Sequence, residues 1–247
     1  MIPKKITILQ RFYLYFIYIN LLFISIGFIP ITVALAQVPF EESAHFINAS
    51  QFVKTHQKDI QFFLSKAGAE TPLVIAIAFP ELLRFNQLQN HAEVTSLEFL
   101  YVNFGENYAD FSIGYFQMKP SFVQKIEELL ASQQLSSFQK IYSYNTAKSD
   151  IEIRKARIER LNNIEWQLQY LNAFYWLMEI SYRTKYWTNT EEKLRFYAAA
   201  YNYGFWKPEK EIVQWRLSSK FKYDNQYYNY TTLAWLFYEK SAKFWFK

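Results

Sequence analysis

Pro72-Leu-Val-Ile-Ala-Ile-Ala-Phe79 runs directly into Pro80-Glu-Leu-Leu-Arg84, so that an apolar segment meets a single acid, Glu81. A helix that is apolar on all faces is buried, and this segment therefore predicts the central buried helix of the fold. Thr71 is the expected N-cap, with proline at the first helical position. Pro80 lacks an N–H and is expected to loosen the last turn. The segment would deliver one carboxyl group at the end of a buried helix.

The remaining chain has the apolar spacing of further helices. The predicted helices cover 46–66 with Ser50 as cap and Gly68 as stop, 92–104, 120–130, 151–185 with a break at Asn162-Asn163, 193–201 after a capping box formed by Thr188 and Glu191, 208–217, and 231–244. Residues 106–119 have no helical period and predict a loop or a short hairpin. With only five glycines and seven prolines in 247 residues, the chain is poor in the turns that a sandwich or barrel needs. A mainly α, single helical domain over residues 37–247 is expected.

Cysteine is absent, which excludes disulfides, thiolate nucleophiles and cysteine-based zinc sites. The three histidines, His45, His56 and His91, form no close pair. A histidine metal site or a Ser-His-Asp triad therefore has little support. The sequence implies no metal and no cofactor.

Residues 1–36 have the pattern of an export signal. Three basic residues within 4–11 precede an apolar run, Phe12–Val33, and Ala34-Leu-Ala36 offers a cleavage site. Because the run is about 20 residues long, an uncleaved membrane anchor is the alternative. Either way, residues 37–247 are expected outside the cytoplasm, in the periplasm or cell envelope. Removing these basic residues lowers the net charge from +5 to +2 (5 − 3), too little to indicate a nucleic-acid partner.

Two of the scarce glycines lie beside an amide. Gly114 precedes Tyr115-Phe-Gln117, and Gly204 follows Asn202-Tyr203. Glycine allows a backbone to approach a ligand closely. Amide side chains both donate and accept, which suits sugar hydroxyl and acetamido groups. The two segments are therefore candidate sugar-binding turns.

These segments resemble motifs of the lysozyme-like lytic transglycosylases and goose-type lysozymes. Gly114-Tyr-Phe-Gln-Met-Lys-Pro120 is similar to their Gly-Leu-Met-Gln-x-x-Pro, and Ala199-Ala-Tyr-Asn-Tyr-Gly204 to their Ala-Ala-Tyr-Asn-Ala-Gly. Asn229-Tyr230 resembles their late tyrosine-containing segment. Glu81 has the position of their catalytic glutamate, and the order along the chain is the same. The resemblance covers roughly residues 70–240.

The chain also departs from the family pattern. Leu82 replaces the serine that usually follows the catalytic glutamate, and Pro80 directly precedes the acid. Tyr108-Ala-Asp-Phe-Ser112 stands in place of Ser-x-x-Gly-Ala. The gap between the acid and the glycine turn is lengthened by the predicted helix at 92–104. These departures concern substrate details more than the fold.

The resemblance implies a lysozyme-like fold and a muramidase that cleaves the β-1,4 bond between N-acetylmuramic acid and N-acetylglucosamine in peptidoglycan. It implies Glu81 as the general acid and base, and burial among apolar neighbours would raise its pKa as that role requires. The implied substrate contacts are Gly114, Tyr115, Phe116, Gln117, Tyr201, Asn202 and Tyr230. The glycan strands of peptidoglycan are the implied partner.

A lytic transglycosylase is the favoured activity, since that reaction needs one acid. Lysozyme-type hydrolysis is the second choice, with Asp110 or Glu106 as the second acid. Two alternatives have no activity. One is a glycan-binding or envelope-assembly protein in which Pro80 and Leu82 mark a lost catalytic site. The other is a membrane-anchored helical scaffold without a glycan role.

Overall fold

The computed structural model describes residues 40–65, 70–85, 91–145, 148–223 and 225–246, most of them in helices. The helices are, in chain order, α1 (Ala44–Thr55), α2 (Gln57–Ser65), α3 (Thr71–Phe85), α4 (His91–Phe104), α5 (Pro120–Ser132), α6 (Gln139–Tyr142), α7 (Asp150–Leu161), α8 (Ile164–Ser181), α9 (Thr190–Tyr203), α10 (Glu209–Arg216), α11 (Tyr230–Phe237) and α12 (Lys243–Trp245). The predicted mainly α class is confirmed.

Helix α3 lies at the centre of the core, as its composition predicted. Its residues from Leu73 to Leu83 are buried, and it contacts α1, α2, α8, α9 and α11. The ring of Phe79 stacks on that of Phe237 in α11, with centroids 3.7 Å apart and planes 3° from parallel. Pro80 lies inside the helix, which nevertheless continues to Phe85. The acid that follows Pro80 is therefore held in regular helix.

Two of the predicted helical stretches are each divided into two helices in the structure. The first is divided at His56 into α1 and α2, and its cap is Ser43, whose side chain accepts a hydrogen bond from the N–H of Phe46. The predicted cap, Ser50, is buried within α1. The predicted break at Asn162-Asn163 is confirmed as the junction of α7 and α8. The predicted stop at Gly68 and the export signal at 1–36 lie outside the described residues.

The C-terminal part departs further from the predicted single helix. Helix α11 is followed by a π-helical turn, Tyr238–Ala242, and then by α12. A short antiparallel hairpin, β1 (Phe221–Tyr223) and β2 (Gln226–Tyr228), precedes α11 and pairs Phe221 with Tyr228. Strands of three residues are too short to show an alternating pattern, which explains why the hairpin was not predicted.

The loop over 106–119 is confirmed, and it contains a small bridged turn. Ile113 and Met118 pair antiparallel around Gly114–Gln117. Gly114 has φ +71°, and an added Cβ would lie 2.6 Å from the carbonyl oxygen of Leu161 and would overlap the side chain of Gln167. Gln167 in turn accepts a hydrogen bond from the N–H of Phe116 at 2.9 Å. Gly114 is thus required by packing against the α7–α8 junction.

Helix α9 carries two of the predicted site residues near its C-terminus, and Asn189 caps its N-terminus. The Asn189 side chain accepts from the N–H of Glu192 at 2.9 Å. The carboxylate of Glu192 accepts from the N–H of Thr188 at 2.9 Å. The predicted capping box of Thr188 and Glu191 was therefore offset by one residue.

Replacing this cap should weaken the fold modestly. Asn189→Ala is expected to lower the free energy of unfolding by about 1 kcal/mol, because one N–H of the first turn loses its partner. Asn189→Ser, which retains a capping oxygen, should stay close to the wild type. Urea denaturation of the three proteins measures the difference. Equal stability of the alanine and serine variants would contradict the assigned cap.

The described residues all belong to one compact unit, which extends over Pro39–Lys247. Among them, no helix has both the length and the apolar character needed to cross a bilayer.

Candidate functional site

A cleft of about 190 Å³ forms where the end of α3, the 106–119 loop, the start of α5 and the end of α9 meet. It brings together predicted site residues that are far apart in the sequence. Glu81, Gln117, Tyr201 and Asn202 all line it. Asp110, one of the two proposed second acids, lines it as well.

Glu81 is an almost fully buried acid, with 4% of its surface exposed. Burial raises its pKa from 4.5 to about 7, although the nearby Arg84 charge and a hydrogen bond from Asn202 act in the opposite direction. Nη1 of Arg84 lies 3.5 Å from Oε2 of Glu81. Near neutral pH, a substantial fraction of Glu81 therefore carries a proton.

Asn202 is the second polar group at this acid. Its Nδ2 donates to Oε1 of Glu81 at 3.3 Å. Its Oδ1 accepts from Nε1 of Trp215 in α10 at 2.9 Å. Trp215 is not predicted from the sequence, because no local motif marks it and its contact with Asn202 depends on the packing of α10 against α9.

Gln117 lines the cleft in a strained conformation. Its φ is +48°, which is uncommon for a residue other than glycine. The residue is 8% exposed, and its Nε2 donates to the carbonyl oxygen of Gly114 at 2.7 Å. Its Oε1 is buried without a hydrogen-bond partner among the described residues. A buried acceptor without a partner is costly, and strain of this kind gathers at ligand sites. Gln117 is therefore the residue of this turn that lines the cleft and has an unpaired acceptor in its side chain.

Asp110, one of the two proposed second acids, has a carboxylate that is already bound by neighbouring residues. Its carboxylate accepts from the N–H of Ser121 at 3.1 Å and from the Ser121 hydroxyl at 2.8 Å. Nζ of Lys119 lies 3.5 Å away. These contacts place the carboxylate at the start of α5, where a negative charge stabilises the helix. Both of its oxygens are thus already engaged.

Glu106, the other proposed second acid, does not line the Glu81 cleft. It lines a separate cleft of about 540 Å³ between α4, α5 and α7. The floor of that cleft holds a buried ion pair, in which Nη2 of Arg157 lies 2.7 Å from a carboxylate oxygen of Glu127. Because Glu106 lies outside the Glu81 cleft, the structure offers no support for its pairing with Glu81.

Two residues of the glycine turn have packing roles that the sequence analysis did not predict. The Phe116 side chain is fully buried in the core. The Tyr115 ring is half-buried and packs against Phe52 and Phe85, with centroids 4.6 and 4.5 Å away. Neither lines the Glu81 cleft. Like Gly114, they hold the turn in place, and of the four turn residues 114–117 it is Gln117 that lines the cleft.

The two predicted site tyrosines bind backbone carbonyl groups. The hydroxyl of Tyr201 donates to the carbonyl oxygen of Phe116 at 2.8 Å, which ties α9 to the loop. The hydroxyl of Tyr230 donates to that of Ile77 in α3 at 3.1 Å. Burial raises the pKa of both phenols, and the charge of Glu81 raises it further. Tyr201 lines the cleft, whereas Tyr230 does not line it and binds the backbone of α3.

Trp206 is an aromatic side chain of the cleft that the sequence analysis did not select. It is 42% exposed and packs edge-on against Phe205, with ring centroids 5.3 Å apart. Gly204 has φ +128°, and a Cβ there would lie 3.3 Å from the indole ring. The glycine therefore lets Trp206 fold back over the end of α9. The signal in the sequence was an aromatic pair directly after a helix-ending glycine.

The arrangement combines a buried acid, two amides and an exposed indole in one cleft. Such a set can donate a proton near neutral pH and can bind hydroxyl and acetamido groups. Among the described residues, no three acidic or histidine side chains lie close enough together to hold a metal ion. Comparisons with protein-family models, with curated proteins and with solved structures found no match.

Proposed function

We propose that this protein is an exported muramidase with a lysozyme-like helical fold, which acts on peptidoglycan as a lytic transglycosylase. The observation that carries the proposal is the raised pKa of Glu81. Its carboxyl group lies buried at the cleft, and burial raises its pKa to about 7. A general acid works best when its pKa lies near the operating pH. The chain-order resemblance to the lytic transglycosylases agrees with this role.

The reaction needs one group that first gives and then takes a proton. Protonated Glu81 donates its proton to the glycosidic oxygen as the bond from that oxygen to C1 of N-acetylmuramic acid breaks. The resulting carboxylate then removes the proton from the 6-hydroxyl of the same sugar, whose oxygen bonds to C1. The products are a 1,6-anhydro sugar and a free 4-hydroxyl on the leaving sugar, and Glu81 is protonated again.

The surroundings of Asp110 favour this reaction over hydrolysis by two acids. A second carboxylate would have to act as a nucleophile or as a base for water. Asp110 is already bound to Ser121 and lies near Lys119. Glu106 lines the other cleft. A single-acid reaction, in which the substrate supplies its own nucleophile, makes no demand on either residue.

Gln117 and Trp206 are the proposed substrate contacts outside the acid. The Oε1 of Gln117 is buried and has no hydrogen-bond partner among the described residues. A turn of this side chain toward the cleft would let it accept from the N–H of an N-acetyl group. The exposed indole of Trp206 would stack on the apolar face of a sugar ring. Asn202 would hold Glu81 and leave the cleft free for the glycan.

Removal of the indole should weaken substrate binding. Trp206→Ala is expected to raise KM for purified glycan strands about tenfold, because the stacking surface is lost, with a smaller change in kcat. Trp206→Phe should recover part of the affinity. Tyr186→Ala removes an exposed aromatic outside the cleft and serves as the control. If KM is the same for Trp206→Ala and the wild type, Trp206 is not a substrate contact.

The proposal is tested with insoluble peptidoglycan and purified protein, by measuring both the protein bound to the pellet and the muropeptides released. Binding with release supports the muramidase. Binding without release, from a folded sample, would favour the inactive glycan-binding alternative. If the folded protein neither binds the peptidoglycan nor releases muropeptides, the result would favour the helical scaffold.

A further inference from the structure

Three side chains form a hydrogen-bonded chain that leads from outside the cleft to the buried acid. Nε1 of Trp215 donates to Oδ1 of Asn202 at 2.9 Å, and Nδ2 of Asn202 donates to Oε1 of Glu81 at 3.3 Å. An indole N–H can only donate. It therefore requires the oxygen of the Asn202 amide on its side and leaves the NH₂ group facing Glu81.

The Trp215 ring is held by contacts with Tyr203 at the end of α9 and with Lys220 beyond α10. It stacks on the ring of Tyr203, with centroids 4.5 Å apart and planes 23° from parallel. The Tyr203 hydroxyl donates to Glu211 at 2.7 Å, which ties this ring to α10. Nζ of Lys220 lies 4.9 Å from the centre of the indole. Trp215 does not line the cleft, so its influence on Glu81 passes through Asn202.

The orientation of the Asn202 amide matters because it decides which form of Glu81 is favoured. An NH₂ group that faces the acid stabilises the carboxylate. An amide turned by 180° would present its oxygen and would stabilise the protonated form instead. The Asn202 amide can thus take either of two orientations. The N–H of Trp215 stabilises the one in which Nδ2 of Asn202 donates to Glu81.

The other groups around Glu81 do not offer the same choice. Arg84, on the same helix, can only donate to Oε2. The hydroxyls of Tyr201 in α9 and Tyr230 in α11 donate to backbone carbonyl groups. Asp110 and Lys119 line the same cleft as charged groups. Asn202 is therefore the neighbour whose hydrogen bond to Glu81 can be reversed.

We propose that Trp215 is a positioning residue that fixes the amide of Asn202 as a donor and thereby sets the pH range over which Glu81 holds its proton. As a statement about the reaction, this rests on the proposed function, in which Glu81 is the acid. As a statement about the titration of Glu81, it can be tested without substrate.

The test is an infrared titration of the Glu81 carboxyl group in the full chain. The difference between each protein and its Glu81→Gln counterpart isolates the signal. Trp215→Phe keeps a ring against Tyr203 but removes the N–H, and the midpoint for Glu81 is expected to rise by about one pH unit. Benzothienylalanine at position 215, which replaces the N–H by sulfur and keeps the shape, should give the same shift. An unchanged or lowered midpoint in these two proteins would overturn the inference.

Trp235→Phe is the matched control. Trp235 also stacks on a tyrosine, Tyr238, with centroids 5.3 Å apart and planes 21° from parallel, but it does not contact Asn202. Its loss should leave the midpoint for Glu81 unchanged. A shift as large as that of the Trp215 variants would assign the effect to general loosening of the fold and would overturn the inference.

Turnover gives a second readout. In the pH–rate profile, the rate should fall as pH rises through the pKa of Glu81. In Trp215→Phe this descending limb should move to higher pH by the same amount as the infrared midpoint. If the infrared midpoint moves but the descending limb of the pH–rate profile does not, the role of Trp215 in the reaction is overturned. An inactive wild type would contradict the proposed function, while the infrared result would still decide the role of Trp215.

Discussion

Glu81→Gln should reduce the release of muropeptides from peptidoglycan by about a thousandfold or more, with binding to the glycan retained. Glutamine keeps the shape of the side chain but has no proton to give to the glycosidic oxygen. General acid–base groups contribute about 10²–10⁴ in rate, and here one group serves in both steps. The measurement is the initial rate of release, together with the amount of protein bound to the pellet.

Glu128→Gln is the matched control for this variant. Glu128 lies on α5, is exposed, and pairs with Lys125 at the surface, away from the Glu81 cleft. The same chemical change there should leave the rate within a factor of about two. If Glu81→Gln retains the wild-type rate, Glu81 is not the acid of the reaction.

Glu81→Gln should also make the protein more stable than the wild type at high pH. The pKa of Glu81 is about 7 in the folded protein, against 4.5 for an ordinary glutamate in the unfolded chain. The native state therefore holds a proton that the unfolded chain releases between these values. The stability of the wild type therefore falls as pH rises from 4.5 to 7. Above pH 7 the buried carboxylate costs about 3 kcal/mol relative to low pH. Glutamine has no charge and avoids this cost.

Urea denaturation of the wild type and of Glu81→Gln at pH 4.5 and pH 8 measures the effect. The stability of the variant relative to the wild type should increase by about 3 kcal/mol between the two conditions. Glu128→Gln, the same chemical change at an exposed position on α5, is measured beside it as the control. A difference between variant and wild type that is the same at both pH values would mean that Glu81 titrates normally.

The central helix and the residues that meet at the cleft could be predicted because their signals are local. An all-apolar segment with one acid predicted α3 and Glu81, and amides beside glycines predicted Gln117 and Asn202. The structure brings these three side chains to one cleft. The chemistry assigned to them stays a prediction.

What the sequence could not reveal depends on tertiary contacts. Gly114 was interpreted as a point of ligand approach, whereas its close neighbours are Gln167 and Leu161. Phe116 lies in the same motif as Gln117, but its side chain faces the core. Trp215 reaches Asn202 only because α10 packs against α9. In each case the decisive partner lies on another element, and a motif read along one chain does not contain it.

The departures from the family pattern have a structural explanation in part. Leu82, at the position where the lytic transglycosylases that the sequence resembles have a serine, is buried in the core and is not part of the cleft. Pro80 is also buried, and α3 continues past it. The polar contacts of Glu81 come instead from Arg84 and Asn202. The absent serine therefore does not leave the acid without polar neighbours.

Digestion of peptidoglycan by the purified protein in ¹⁸O-labelled water, followed by mass spectrometry of the soluble products, tests the single-acid reaction most directly. The account predicts 1,6-anhydro products without label, because every oxygen in them comes from the glycan. Products with a reducing end and one ¹⁸O atom would mean that water is the nucleophile, and would contradict the account.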